Sequence, residues 1–148
     1  MKAKDILQSK GGDIISISDS STVSQAVSIL SQRKIGLLIV NGTAGAFAGV
    51  LSERDVVQKC VNEKKDAGQM TVGEIMTPKD HVKTGTEDEE VEQIMNTMTE
   101  SKIRHLPIFS GDQLKGIISI GDVIKTILQA KDDEIKTLSS YVSGNYPG

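Results

Sequence analysis

Two copies of one short pattern place a hydroxyl and a carboxylate at a fixed spacing. Each copy reads Gly-x-x-Ser-x-x-Asp, the first at Gly49–Asp55 and the second at Gly116–Asp122. A serine that opens a helix lies beside free backbone N–H groups and the positive end of the helix dipole, which suits a phosphate. The aspartate three residues later accepts two hydrogen bonds at once and matches the adjacent 2′ and 3′ hydroxyls of a ribose. The pattern therefore suits a nucleotide.

The same spacing has a purely structural interpretation. Ser-x-x-Asp is close to a capping box, in which the hydroxyl and the carboxylate only satisfy the first N–H groups of a helix. Both interpretations stay open at this point. The presence of two copies at equivalent strand-to-helix junctions favours the ligand interpretation.

The pattern lies inside an internal repeat that covers most of the chain. With a shift of 68 residues, Val23–Leu30 aligns with Val91–Met98 and Ile35–Val40 aligns with Ile103–Ile108. After one deleted residue, the Gly-x-x-Ser-x-x-Asp segments and the apolar positions that follow them align with a shift of 67. A repeat of this length exceeds that of short solenoids, so each copy is expected to be a small α/β unit and the pair one two-fold body.

Hydrophobic periodicity predicts the elements of each copy. Apolar residues at helical spacing predict amphipathic helices over the first aligned pair of segments, with Ser18 and Thr86 as N-caps and Glu89 completing a capping box. The continuous apolar runs that follow predict buried strands. Ala46–Leu51 and Leu114–Ile118 are expected to return as second strands, and the serine of each pattern to open a closing helix.

The predicted fold is therefore α/β (α+β), a tandem pair of β-α-β-β-α units in one pseudo-two-fold module. The expected boundaries are residues 1–63 for the first copy, 64–70 for a linker, 71–130 for the second copy and 131–148 for a C-terminal tail.

Composition excludes several classes of protein. No apolar run approaches the roughly 20 residues of a membrane span, and the N-terminus resembles no targeting peptide. Residues 1–69 hold 9 Lys/Arg and 7 Asp/Glu and the rest hold 8 and 13, so the halves carry +2 and −5 and sum to the net charge of −3. This acidic balance, with four aromatic residues in all, argues against nucleic acid. We expect cytoplasmic localisation, or an organelle matrix if the chain is processed.

Catalytic and metal-binding signatures are absent from the sequence. It contains no P-loop, no dinucleotide-binding glycine motif and no His-Glu-x-x-His. The chain has one cysteine, Cys60, and two histidines, His81 and His105, so zinc is not expected. Cys60 falls at helical spacing in an apolar stripe and is expected to be a buried structural thiol. We expect no enzymatic activity and no metal requirement.

The repeated pattern resembles the cystathionine β-synthase (CBS) domain family, and two copies in tandem resemble the stand-alone CBS pairs of bacteria and plant organelles. The resemblance covers about residues 2–130. It rests on the two Gly-x-x-Ser-x-x-Asp segments, the strand Ile103–Ile108, and the leading segments Asp5–Leu7 and Glu74–Thr77. It implies a module that binds an adenosyl nucleotide in the cleft between its two motifs, AMP first, with ADP, ATP, NAD or S-adenosylmethionine as alternatives.

The resemblance also implies roles for individual residues. Basic side chains on the strand of the second copy reach the phosphates in family members, whereas the first copy has Gly36 and Leu37 at those positions. A structural interpretation is equally open for each of these residues. Arg104 would be an ordinary surface cation, His105 a packed histidine and Thr77 a turn residue before Pro78. The implied ligand-binding residues are Ser52, Ser119, Arg104 and His105 for phosphate, Asp55 and Asp122 for ribose, and Thr77 for a further contact. Arg54 is expected to add a charge beside Asp55.

These observations predict a regulatory sensor. Nucleotide binding would shift the arrangement of the two motifs and change what a homodimer presents to a regulated protein, for which the resemblance to plant relatives suggests a thioredoxin type. The alternative is a ligand-free scaffold for dimerisation and protein interaction. A scaffold has no need of both Asp55 and Asp122.

Overall fold

The computed structural model describes residues 1–11 and 14–143, and these residues form two compact units. The Asp55 unit contains the described residues from 14 to Lys83. The Asp122 unit contains the described N-terminal residues together with those from Thr84 onward. Each unit is a sheet with helices, which is the mixed α/β architecture that the repeat predicts.

The Asp55 unit holds a four-stranded sheet in the order β1-β2-β3-β4, in which β1 and β2 are parallel and the other neighbours are antiparallel. Short 3₁₀ turns lie at Thr43–Gly45 and Lys79–His81. The elements in chain order are β1 (Ser16–Ser18), α2 (Val23–Arg33), β2 (Leu37–Asn41), β3 (Phe47–Ser52), α3 (Glu53–Val56) with a π-helical turn at Val57–Val61, α4 (Val72–Ile75) and β4 (Thr77–Pro78).

The Asp122 unit holds a three-stranded sheet in the order β5-β6-β7, with β5 parallel to β6 and β6 antiparallel to β7. Its elements are α1 (Ala3–Lys10), β5 (Gly85–Thr86), α5 (Val91–Ser101), β6 (His105–Ser110), β7 (Gln113–Ser119) and α6 (Ile120–Ser143).

The predicted helical stripes and buried strands are confirmed. Helix α2 buries Val23, Ala26 and Leu30 against its sheet, and α5 buries the equivalent positions of the second copy. Strand β2 is buried over four consecutive residues, Leu37–Val40, and it lies between β1 and β3 in the sheet. Each unit therefore builds its own apolar core from the same repeated positions.

The predicted N-caps were wrong. Ser18 and Thr86 end the short strands β1 and β5, whose pairing with β2 and β6 holds both residues in the sheet. The N-cap of α2 instead lies four residues later, where Thr22 forms a capping box with Gln25. In the second copy Glu90 is the N-cap and Gln93 its partner, so Glu89 is not part of the box.

The predicted C-terminal tail continues the last helix. Helix α6 runs without interruption from Ile120 to Ser143, and Gly144–Gly148 lie outside the described residues. Ile135 and Leu138 on this extension are each 59% exposed. Over the ranges that the structure describes, no helix combines the length and the apolar character needed to cross a membrane.

The leading segment of each copy packs in the unit that holds the other copy's Gly-x-x-Ser-x-x-Asp pattern. Helix α1 contacts β7 and α6 in the Asp122 unit, and β4 pairs with β3 in the Asp55 unit. The glycine of each pattern makes room for this approach. A Cβ on Gly49 would collide with the backbone carbonyl of Thr77, and a Cβ on Gly116 would lie 2.7 Å from a methyl of Leu7.

Alanine substitutions at these two glycines should therefore differ in cost. Gly49→Ala forces backbone against backbone, and we expect the free energy of unfolding to fall by about 2–3 kcal/mol. Gly116→Ala meets the end of a flexible side chain, and we expect a loss below about 1.5 kcal/mol. Urea unfolding of both variants measures the difference, and equal losses would contradict the packing of β4 on β3.

Candidate functional site

Both Ser-x-x-Asp segments form closed capping boxes. In the Asp55 unit the backbone N–H of Asp55 donates to Ser52 Oγ and the N–H of Ser52 donates to Asp55 Oδ2, each at 3.1 Å. In the Asp122 unit the corresponding distances between Ser119 and Asp122 are 3.1 and 2.9 Å. The structural interpretation is thus realised at both junctions. A ligand must use the hydrogen-bonding capacity that the caps leave over.

The Asp55 carboxylate is enclosed by its own unit. The hydroxyl of Thr77 donates to both oxygens at 3.2–3.3 Å, and Lys59 Nζ lies 3.1 Å from Oδ1. The same ammonium donates to the carbonyl of Ile75. The Asp55 side chain is only 9% exposed, so both of its oxygens are engaged away from solvent.

The Asp122 carboxylate is more open. Lys10 Nζ, at the end of α1, lies 2.7 Å from Asp122 Oδ2 and also donates to the carbonyl of Ile117 at 2.7 Å. The ammonium of Lys10 and the backbone N–H of Ser119 both donate to Oδ2, and the side chain of Ser119 makes a further hydrogen bond to the carboxylate. The Asp122 side chain is 22% exposed.

These neighbours change the pKa of Asp122. Burial by itself raises the pKa, but the hydrogen bond and the charge of Lys10, with the backbone N–H of Ser119, outweigh burial and hold the pKa below its ordinary value of 3.8. The carboxylate is therefore ionised throughout the physiological range and acts only as a hydrogen-bond acceptor.

The strand β6 brings the predicted basic residues to the Asp122 junction. His105 lies opposite Ser119 in the β6–β7 pair, and paired residues project from the same face of a sheet. The carbonyl of Arg104 accepts from the N–H of Ile120, so the Arg104 backbone adjoins the start of α6, with its side chain exposed. In the Asp55 unit the residue opposite Ser52 is Leu37. The two junctions therefore differ chemically.

The structure distributes the sequence-predicted residues over two junctions. Ser52, Asp55 and Thr77 meet in the Asp55 unit, where Arg54 is exposed on the first turn of α3. The other predicted residues, Arg104, His105, Ser119 and Asp122, meet in the Asp122 unit.

Sequence reasoning missed the two lysines that bind these carboxylates. The i,i+4 spacing of Asp55 and Lys59 on one helix was a usable signal for the first. Lys10 is 112 residues from Asp122, so no local pattern indicates that pair.

Among the residues that the structure describes, no group of three or more His, Cys, Asp or Glu side chains is placed to hold a metal ion. The absence of a metal requirement stays a prediction.

Cys60 is buried, with 1% of its surface exposed, and its thiol donates to the carbonyl of Lys65, as expected of a structural thiol.

Comparison with known proteins identifies the repeated unit. Residues 3–62 and residues 72–129 each match the CBS domain. The chain belongs to the CBS domain family. Because both matches contain a Gly-x-x-Ser-x-x-Asp segment, the internal repeat is a tandem pair of CBS motifs.

Individual relatives agree with this assignment. The chain is 32% identical to the mitochondrial CBS domain-containing protein CBSX3 of Arabidopsis thaliana, over 96% of this chain and 72% of that protein. A putative signal-transduction protein with CBS domains from Burkholderia ambifaria superposes with a TM-score of 0.82 at 32% identity, covering 87% of this chain and 95% of that one. Both relatives are named for their CBS domains, and the Burkholderia protein is described as a signal-transduction protein.

A more distant solved structure carries a ligand. The CBS domain protein PAE2072 of Pyrobaculum aerophilum, in complex with AMP, superposes with a TM-score of 0.72 at 21% identity, over 82% of this chain and 89% of that one. At this identity the likeness shows a shared fold.

The lowered pKa of Asp122 predicts a pH-dependent contribution to stability. Above about pH 5 the carboxylate is ionised in folded and unfolded chains, and its native hydrogen bonds contribute fully. As the pH falls through the lowered folded pKa, that contribution disappears. The Asp122→Asn variant lacks the ionised carboxylate at every pH. We therefore expect the difference in unfolding free energy between wild type and variant to become smaller as the pH falls from about 6 to about 3. Denaturant unfolding across this range measures it, and a constant difference would contradict the geometry.

Proposed function

We propose that this protein is a regulatory sensor that binds an adenosyl nucleotide, AMP first among them, at the Ser119–Asp122 junction. The observation that carries the proposal is the state of the Asp122 carboxylate. Its cap and its lysine both use Oδ2, which leaves the second oxygen of a partly exposed, ionised carboxylate as an acceptor for a ribose hydroxyl.

The same junction suits the phosphate. Ser119 Oγ accepts a hydrogen bond in the cap, and its hydroxyl would donate to a phosphate in exchange for its hydrogen bond with Asp122. The N-terminus of the long helix α6 adds positive potential. Arg104 supplies an exposed cation beside this helix start, and His105 shares a face of the sheet with Ser119. In the proposal Ser119 and Arg104 contact phosphate and His105 contributes a further polar contact.

We further propose that the Asp55 junction is the weaker site. Both oxygens of Asp55 are engaged by Ser52, Thr77 and Lys59, and a ribose would have to displace these partners. Leu37 takes the place of His105, which removes one polar group. The residues of this junction would then serve mainly to hold β4 and α3 together; they are Ser52, Arg54, Asp55 and Thr77. We therefore expect about one nucleotide to bind per chain.

Two further points support the proposal. The Pyrobaculum protein holds AMP in this fold, and the Burkholderia relative is described as a signal-transduction protein, so a nucleotide sensor without enzymatic activity fits both. Discrimination among AMP, ADP, ATP, NAD and S-adenosylmethionine depends on groups beyond the shared adenosyl part. We expect cytoplasmic localisation, with the mitochondrial relative making an organelle matrix the alternative.

Calorimetry of nucleotide-free protein against AMP, ATP, NAD and S-adenosylmethionine tests the proposal. We expect micromolar binding of one of them with about one site per chain. Asp122→Ala should weaken it by about 1–3 kcal/mol, roughly 5- to 150-fold, because the ribose loses its charged acceptor. Asp112→Ala, in the exposed β6–β7 turn of the same unit, is the matched control and should bind like wild type.

Two results would contradict the proposal. Unchanged affinity in Asp122→Ala together with lower stability would mean that the carboxylate is only a helix cap. No heat with any nucleotide, after mass spectrometry has excluded a retained ligand, would favour the scaffold, which the closed capping boxes at both junctions make the second candidate.

We propose that the protein forms a homodimer through apolar residues that are exposed on two of its helices. Equivalent helices carry equivalent exposed pairs, Val57 and Val61 at 57% and 64%, and Ile124 and Leu128 at 46% and 59%. Exposed apolar patches of this kind mark interaction surfaces. A homodimer interface uses the same surface on both subunits, and the repetition of the patch within one chain suits such an arrangement.

Analytical ultracentrifugation tests the homodimer. Leu128→Lys places a charge in the apolar patch, and we expect it to weaken dimerisation by at least about tenfold while the circular dichroism spectrum stays unchanged. Gln129→Lys adds the same charge at the neighbouring exposed position and should dimerise like wild type. A monomeric wild type, or equal behaviour of the two variants, would contradict the interface.

A further inference from the structure

The ion pair between Lys10 and Asp122 lies beside the oxygen on which the proposed function places a ribose hydroxyl. Lys10 is the last residue of α1, and its side chain is 35% exposed, against 22% for that of Asp122. Neither side chain is fully withdrawn from solvent. A nucleotide that reaches the carboxylate therefore also meets the ammonium, 2.7 Å away.

Both members of the pair retain unused hydrogen-bonding capacity. The ammonium has three N–H donors, of which Asp122 Oδ2 and the Ile117 carbonyl take two. The ammonium and the backbone N–H of Ser119 both donate to Oδ2, so Oδ1, with two lone pairs, retains acceptor capacity. One donor and one acceptor thus lie on adjacent, oppositely charged groups. The carbonyl of Ile117 anchors the ammonium, so the donor is held in place before a ligand arrives.

A vicinal diol complements this arrangement. Each hydroxyl of a ribose both donates and accepts, so one hydroxyl donates to Asp122 Oδ1 while its neighbour accepts from Lys10. Hydrogen bonds to charged groups are the stronger class, about 1.5–3 kcal/mol each. A 2′-deoxyribose offers only one of the two hydroxyls and leaves one charged group without its partner.

We propose that Lys10 is a second ribose-contacting residue, which completes with Asp122 a clamp selective for the vicinal diol of a ribonucleotide. The inference rests on the proposed function, because it concerns the same site. It assigns the discrimination between ribose and 2′-deoxyribose to a residue that lies 112 positions away from Asp122 in the sequence.

Titration of AMP and 2′-deoxy-AMP into wild type and Lys10→Met tests the clamp. We expect wild type to bind AMP at least about tenfold more tightly than 2′-deoxy-AMP. Lys10→Met keeps the length of the side chain and removes the ammonium. It should lose about tenfold in AMP affinity and most of the preference for AMP. Lys4→Met, which removes an exposed lysine of the same helix paired with Asp88 at 3.5 Å, is the control and should retain both.

The outcomes separate the two proposals. One result would overturn the clamp and leave the sensor standing: wild type binds AMP, and Lys10→Met binds AMP equally or more tightly with the same preference over 2′-deoxy-AMP. Lys10 would then be only an internal partner of Asp122. No binding of AMP or any other adenosyl nucleotide to wild type would overturn both. If thermal unfolding shows that Lys10→Met does not fold, Lys10→Gln supplies the same comparison, because it removes the charge and keeps a polar side chain.

Discussion

The close approach of each leading segment to a strand-to-helix junction is the constraint on which the rest of the structure depends. At Gly49 the backbone of β4 lies where a side chain would otherwise be, and at Gly116 the side chain of Leu7 does so. These contacts bring Thr77 to Asp55 and Lys10 to Asp122. The glycine of each repeated pattern is therefore a packing requirement, and it determines which donor reaches each carboxylate.

The two junctions share a cap and differ in what surrounds it. In both, the serine and the aspartate satisfy each other's backbone N–H groups, which explains why the spacing is repeated whatever the ligand. Around Asp55 a hydroxyl and an i,i+4 lysine complete the coordination of a nearly buried carboxylate. Around Asp122 one oxygen remains available. In our proposal the chain therefore has one favourable nucleotide site, although it contains two copies of the motif, because the neighbours of the motif have diverged.

Local patterns predicted much of this structure. The helical stripes begin at Val23 and Val91 as expected, since an apolar face with helical period has few alternatives, and the runs before each turn form buried strands. The caps were misplaced because Ser18 and Thr86 have the right residue types at the end of a strand, four residues before the observed N-caps. Only the hydrogen bonds distinguish those two positions from true caps.

Long-range pairing was beyond such patterns. The grouping of Arg104 and His105 with Ser119 follows from strand register, which the repeat made visible. The exchange of leading segments does not follow from it, because the repeat assigns residues to copies and says nothing of which copy each segment packs against. Lys10 was therefore missed, and no local pattern predicts the hydrogen bonds of Thr77 to Asp55.

A crystal structure of the protein, determined from crystals grown with AMP, would test the central claim most directly. The account predicts one AMP per chain, with a ribose hydroxyl within hydrogen-bonding distance of Asp122 Oδ1 and its phosphate beside Ser119 and the start of α6. AMP bound at Asp55 instead, or bound with its ribose away from both carboxylates, would contradict it.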